Sequence, residues 1–212
     1  MKKIMFNDRF GLIQAVLEGR KTMTRRIVTY PLKFRGVNVA GYFVCKRPSG
    51  KVTEICMYDE DERMIDGGQI LPKYKVGEVV AIAQSYKDCG NIPGYELDED
   101  GYPIMPKKSG FFNKMFVKAD LMPHHIEITD IKVERLQDIS DEDCMKEGIY
   151  RLDSANGNGG IAYSFVGASD KKHIGLYNTP RDAFSALIDK VSGKGTWESN
   201  PYVWVYEFKL FD

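Results

Sequence analysis

Apolar residues recur along this chain with two periods, near 3.6 and near 2, and the changes between them mark out the elements. Residues 3–6 read as a short strand. Phe10, Ile13, Val16 and Leu17 then share one face of a helix predicted over 8–18, with Asn7 as its N-cap. Gly19 ends that helix, because a glycine just past a helix readily takes the left-handed conformation, and residues 20–26 leave in a fixed direction as loop or strand. Val37, Val39, Phe43 and Cys45 alternate with more polar neighbours, residues 47–50 read as a turn, and 52–58 return as the second strand of a hairpin. Residues 76–83 are apolar almost throughout, as in a strand covered on both faces. Residues 114–119 alternate like another strand. In the long strand predicted over 125–136 the apolar phase shifts from Ile126 and Ile128 to Ile131 and Val133. The shift places a bulge near Thr129 and Asp130, which bends a strand and suits a small closed or half-closed barrel. Ser140 caps a short acidic helix that ends at Gly148. Thr179 caps a second helix, with Pro180 at its first position and Phe184, Leu187, Ile188 and Val191 on one face, and Gly193 ends it. Tyr202, Trp204, Tyr206, Phe208 and Leu210 share the core face of a closing strand, with Val203 and Val205 on the other.

The pattern predicts one α+β domain over residues 1–212, without repeats or a linker, carrying insertions at 36–69, 87–112 and 150–178. Residues 154–162 are too rich in Gly and Asn for regular structure and read as a loop or lid; without the Lys of a P-loop or a βαβ context they are not a nucleotide-binding glycine motif. Cys45, Cys56, Cys89 and Cys144 are scattered, with no C-x-x-C pair, and are expected as reduced thiols. His124 and His125 adjoin, so on a strand they point to opposite faces, and His173 carries no signal. No metal or other cofactor is implied. No stretch approaches 18 consecutive apolar residues, and the opening residues lack the apolar run of a signal peptide, so the expected location is the cytoplasm with no membrane partner.

Charge changes the picture. The total, 30 Lys and Arg against 30 Asp and Glu, argues against a bulk nucleic-acid binder. Residues 1–53, however, hold twelve basic residues against Asp8 and Glu18 alone, and the remaining 159 carry the balancing acidic excess. Arg20, Lys21, Arg25 and Arg26 fall within seven residues beside Thr22 and Thr24, either as a solvated face or as a surface for an anionic or polar ligand.

That segment, Gly19-Arg20-Lys21-Thr22-Met23-Thr24-Arg25-Arg26, resembles the G-x-K-x-x-[TE]-x-R motif of the activating-signal-cointegrator homology (ASCH) family. Residues 74–80, Tyr-Lys-Val-Gly-Glu-Val-Val, are similar to the family's G-[DE]-hydrophobic strand, and 138–149 to its acidic helix ending in Glu-Gly. The run Trp197-Glu198-Ser199-Asn200-Pro201-Tyr202-Val203-Trp204-Val205 resembles the ending of a phage and prophage branch. The likeness covers 1–35, 70–86, 113–149 and 179–210. It implies a PUA-like small β-barrel with flanking helices and a cleft beneath the N-terminal helix. Some bacterial members are amidohydrolases that deacylate N4-acetylcytidine, and their catalytic Lys, Thr and Glu correspond to Lys21, Thr24 and Glu147. Where phage-type relatives carry R-E-T-W, this chain has Ala83-Gln84-Ser85-Tyr86, so Gln84 can hydrogen-bond but cannot titrate.

The residue types suit amide hydrolysis on chemical grounds: a Thr24 hydroxyl as nucleophile, Lys21 as proton acceptor if its pKa is depressed, and Glu147 as donor to the leaving amine. Glu147 would sit at the negative end of its helix dipole, which suggests that something else holds it. Arg20, Arg25 and Arg26 are candidates for an oxyanion or phosphate, and Gln84, Tyr86 and Trp197 for contacts to a base. Two expectations follow: an enzyme acting on an acylated nucleoside, or a non-catalytic module that binds single-stranded RNA or another nucleic acid. A phage accessory role without either activity is suggested by the branch resemblance alone.

Overall fold

The two longest alternating segments, 125–135 and 202–210, pair along almost their whole length and form the centre of the fold. The computed structural model describes residues 1–50, 52–90, 97–102, 109–153, 160–165 and 175–211. Its strands are β1 (Lys3–Ile4), β2 (Met23–Ile27), β3 (Lys33–Phe34), β4 (Val37–Asn38), β5 (Gly41–Lys46), β6 (Val52–Tyr58), β7 (Met64–Gln69), β8 (Val79–Ile82), β9 (His125–Arg135), β10 (Tyr150–Asp153), β11 (Ile161–Ser164) and β12 (Tyr202–Leu210). Its helices are α1 (Leu12–Leu17), α2 (Tyr86–Cys89), α3 (Asp141–Lys146), α4 (Pro180–Ser192) and α5 (Thr196–Ser199). The architecture is mixed α+β.

The main sheet has the order β1-β8-β9-β12-β2, with β1 parallel to β8 and the other neighbours antiparallel. Glu207 pairs with Asp130 and the next residue, Phe208, with Ile128, so Thr129 is the extra residue of a bulge at the predicted place. Among the described residues no ladder joins the edge strands β1 and β2, and the barrel is not closed by backbone pairing. The edges nevertheless approach: Arg26 Nη2 on β2 donates to the Met5 carbonyl just past β1 at 2.6 Å. β12 is interior, so both of its faces are used. Val203 and Val205 are buried along with Tyr206 and Phe208, rather than the aromatic face alone.

Several elements differ from expectation for local reasons. The first helix is broken, because Gly11 takes φ 65° and closes a 3-10 turn at Asp8–Phe10 before α1 starts; Asn7 does cap that turn. Residues 114–119 are not a strand but two 3-10 turns. The Asn113 side chain accepts from Met115 N at 3.0 Å, and Lys3 Nζ draws the Met115 and Val117 carbonyls to 2.7 Å, taking backbone groups a ladder would need. The insertion after residue 36 is a three-stranded sheet, β5-β6-β7, rather than a hairpin, preceded by the small β3-β4 pair. Its third strand contains Asp66, Gly67 and Gly68, a composition poor in strand formers. β10 and β11 flank the Gly-rich loop, and β11 begins within the segment read as irregular; residues 154–159 lie outside the described residues, as do 166–174. All four cysteines are free thiols. Among the described residues no helix is long and apolar enough to cross a membrane.

Ile126→Ala, at a fully buried position of β9, is expected to lower the unfolding free energy by about 2–5 kcal/mol. The adjacent Glu127→Gln loses only a 2.9 Å pair with the mostly exposed Lys209 and is expected to cost less than about 1 kcal/mol. Urea titration followed by circular dichroism measures both.

Candidate functional site

Two turns far apart in sequence meet to build the site. Gly19, with φ 71°, ends α1 and turns the chain so that Lys21 N donates to the Ala15 carbonyl at 2.9 Å and Thr22 N to the Lys146 carbonyl at 3.0 Å. On the other side Ser140 caps α3 by accepting from Asp143 N, and Gly148 turns the chain after Glu147 with φ 104°, a conformation that side-chain-bearing residues rarely adopt. Gly148 thereby packs against Leu12, Ala15 and Lys21.

At the junction lies a buried ion network. Lys21, whose side chain is 2% exposed, donates from Nζ to Glu147 Oε2 at 2.6 Å and to the carbonyls of Met23 and Glu147, both at 2.8 Å. All three ammonium protons are thus held. Glu147 accepts from Arg25 Nη1 on its second oxygen at 3.1 Å. Arg25 in turn donates to Glu134 at 2.6 Å and Asp143 at 3.0 Å, and its guanidinium lies over the Phe184 ring. Lys132 completes the set with Glu134 at 3.1 Å and Asp143 at 3.4 Å. Three cations therefore face three carboxylates, the condition under which charges tolerate burial. The pairing with Lys21 and Arg25 also answers what holds Glu147 at the unfavourable end of its helix. Burial pushes the Lys21 ammonium below its ordinary pKa, with Arg26 and Arg25 adding to the shift and Glu147 opposing it. For Asp143 burial works the other way, but the charges of Lys132 and Arg25 prevail and hold its carboxyl below the ordinary 3.8.

This network forms the floor of a cavity of about 460 Å³ between residues 5–12, β2 and the second half of α4. Lys21, Thr24, Arg25, Arg26 and Glu147 all line it. Phe184, Leu187, Ile188 and Val191 of α4 give it an apolar wall, faced by Phe6. The Thr24 hydroxyl, on a residue 5% exposed, makes no hydrogen bond among the described residues and is available to a ligand. Arg26, in contrast to Arg25, has no carboxylate partner there; it bonds the Met5 carbonyl and stacks on Phe6. Lys114 reaches in from the far side, held by Asp8 and the Phe6 carbonyl.

The remaining sequence candidates lie elsewhere. Arg20 pairs with Glu18 at 2.6 Å on the surface. Tyr86 belongs to a second small core with Ala81, Ala83, Val117 and Met122, and Gln84 lies half-buried beside it. There the Tyr86 hydroxyl accepts from Lys118 N at 2.8 Å, and Gln84 Oε1 is buried with no hydrogen-bond partner among the described residues. Trp197 packs against Phe184 and under the Arg181 guanidinium, a structural position. Sequence reasoning missed Glu134, Lys132 and the α4 wall. Asp143 stood four residues before Glu147, the spacing that places two carboxylates on one helix face. Among the described residues no group of three or more His, Cys, Asp or Glu is placed to hold a metal ion. Comparison with protein-family models, with curated proteins and with solved structures finds no match to this chain.

Glu147→Gln leaves the buried Lys21 without a carboxylate and removes one of the three that hold Arg25, and is expected to cost about 3–5 kcal/mol in urea unfolding. The Asp143 pairing stabilises the fold in full above pH 3.8 and is lost as pH falls through the lowered folded value. The gap in Tm between the native protein and Asp143→Asn should therefore be widest near neutrality and close in acid, as followed by thermal melts from pH 7 to pH 2.

Proposed function

We propose that this protein is an ASCH-family member with a PUA-like core that binds a nucleobase-containing ligand in the Lys21 cavity and hydrolyses an N-acyl cytosine amide such as that of N4-acetylcytidine. The observation that carries the reading is the convergence of Lys21, Thr24 and Glu147, separated by up to 126 residues, on one cavity. That cavity has the size and the mixed lining of a small-molecule site, with an apolar wall for the flat face of a base and polar groups at one end. In the proposed reaction Lys21 passes one proton across its 2.6 Å bond to Glu147, which its lowered pKa favours. The neutral amine then takes the Thr24 hydroxyl proton as the hydroxyl oxygen attacks the amide carbonyl. Glu147 returns a proton to the departing cytosine nitrogen, and water releases the acyl group from Thr24 as the free acid. Arg26, with no carboxylate partner among the described residues, stabilises the oxyanion. The reading puts the protein in the cytoplasm and is compatible with a phage or prophage origin.

The second reading, a binding module without turnover, is favoured by one feature: the Lys21 ammonium has all three protons held, the geometry of a fixed cation. Incubation with N4-acetylcytidine, followed by chromatography for cytidine, separates the two. Hydrolysis predicts cytidine release that falls at least about a hundredfold in kcat in Thr24→Val, a substitution that removes no side-chain hydrogen bond among the described residues, and that disappears in Lys21→Ala. Binding of the nucleoside without any cytidine release overturns the hydrolytic reading in favour of the module.

A further inference from the structure

Two of the departures from the expected elements meet at the rim of the Lys21 cavity. Gly11 breaks the first helix, and the 3-10 turn it closes at Asp8–Phe10 puts Asp8 in the cavity lining. The stretch 114–119 is turned rather than extended, held by the Asn113 cap and by Lys3, and it sends Lys114 into the same lining. Across 106 residues of sequence Lys114 Nζ donates to Asp8 Oδ2, and it also donates to the Phe6 carbonyl. Exposure orders the cavity by depth. The side chains of Lys21 and Glu147 are 2% and 5% exposed at the floor, whereas that of Asp8 is 51% exposed, with Lys114 at 19% between them.

The pair has bonding capacity left. Among the described residues no group donates to Asp8 Oδ1, and the third proton of the Lys114 ammonium has no acceptor. The neighbouring polar groups of the rim are engaged locally: Asn7 Oδ1 accepts from Arg9 N at 3.0 Å, and the Arg9 guanidinium lies over the Phe10 ring. An open acceptor and an open donor thus belong to one ion pair, and that decides what it fits. Asp8 repels an anion, Lys114 repels a cation, and an apolar group leaves both without a partner. Adjacent hydroxyls suit it, because each can donate to the carboxylate or accept from the ammonium. The chemistry of the nucleobase leads to the same place. In an N4-acylated cytosine the acyl amide and the glycosidic nitrogen lie on opposite sides of the ring, so an amide at Thr24 and Lys21 directs the sugar away from the floor and toward the rim.

We propose that Asp8 and Lys114 form a sugar subsite, in which the carboxylate and the ammonium take the 2′- and 3′-hydroxyls of a ribonucleoside and select it over the 2′-deoxyribonucleoside. The inference rests on the nucleobase reading of the Lys21 cavity and adds to it the residues that set which sugar is accepted. A site built to bond a hydroxyl discriminates against the analogue lacking it, because its own polar groups then go unpaired. At a half-exposed rim water replaces part of the lost bond, so the preference is about tenfold, well below that of a closed site.

Titration calorimetry in the Thr24→Val background, where turnover does not interfere, compares N4-acetylcytidine with N4-acetyl-2′-deoxycytidine. The ribonucleoside should bind about tenfold tighter. Asp8→Ala and, separately, Lys114→Met should bring the ratio of the two dissociation constants close to one. A purely structural role does not move that ratio, since a distorted cavity weakens both nucleosides alike. If the two nucleosides bind with equal affinity before either substitution, or if the preference survives either one, the sugar subsite is wrong and the nucleobase site stands. If neither nucleoside binds, the nucleobase reading falls and the subsite with it.

Discussion

The contact between Lys21 and Glu147 sets the rest of the structure. One backbone hydrogen bond, Thr22 N to the Lys146 carbonyl, joins the start of β2 to the end of α3, and the two are locked together because a buried ammonium and a buried carboxylate must find one another or cost several kcal/mol each. Once Glu147 is placed, its other oxygen fixes Arg25, and Arg25 fixes Glu134 of β9 and Asp143 of α3. The floor of the cavity and the docking of the acidic helix are therefore one arrangement rather than two. Arg25 acts in it as a positioning residue, fully engaged by carboxylates, while Arg26, one position along the strand and on the opposite face, is left for a ligand.

The cavity exists because the sheet is not closed. β1 and β2 are edges without a common ladder, and the gap is bridged by a side chain of β2, Arg26, which donates to the Met5 carbonyl just past β1. Side-chain bridging satisfies an edge strand while leaving an opening that backbone pairing would have filled. The bulge at Thr129 contributes the bend that brings those edges near each other.

Periodicity was a good guide wherever one element supplied the whole signal. The caps at Ser140 and Thr179, the stop at Gly193 and the bulge at Thr129 were all legible, since each depends on a few adjacent residues. It failed where a distant group took over the backbone, as Lys3 does at residues 115–117, and where a glycine was free to choose, as at Gly11. The basic cluster pointed to Lys21, Thr24, Arg25 and Arg26, but it could not say that adjacent arginines have different tasks. That division follows from strand alternation and from Glu134, which nothing in its own neighbourhood singles out. Aromatic candidates fared differently from charged ones: Tyr86 and Trp197 are tied into packing, and Trp204, which the pattern assigns to the core, packs against it while bordering two cavities.

The pairing of β2 has a consequence for how the protein comes into being. β2 spans Met23–Ile27, and its sole ladder partner among the described strands is β12, some 180 residues further along. Contacts of such sequence separation are late to form, because the loop they close must be ordered before they stabilise anything. During synthesis the residues that make the cavity floor leave the ribosome early but have no strand to lie against until Tyr202–Leu210 has followed them. The basic cluster thus has no strand to hold it until some 180 further residues have been made, and the floor of the site takes its shape only once β12 is there.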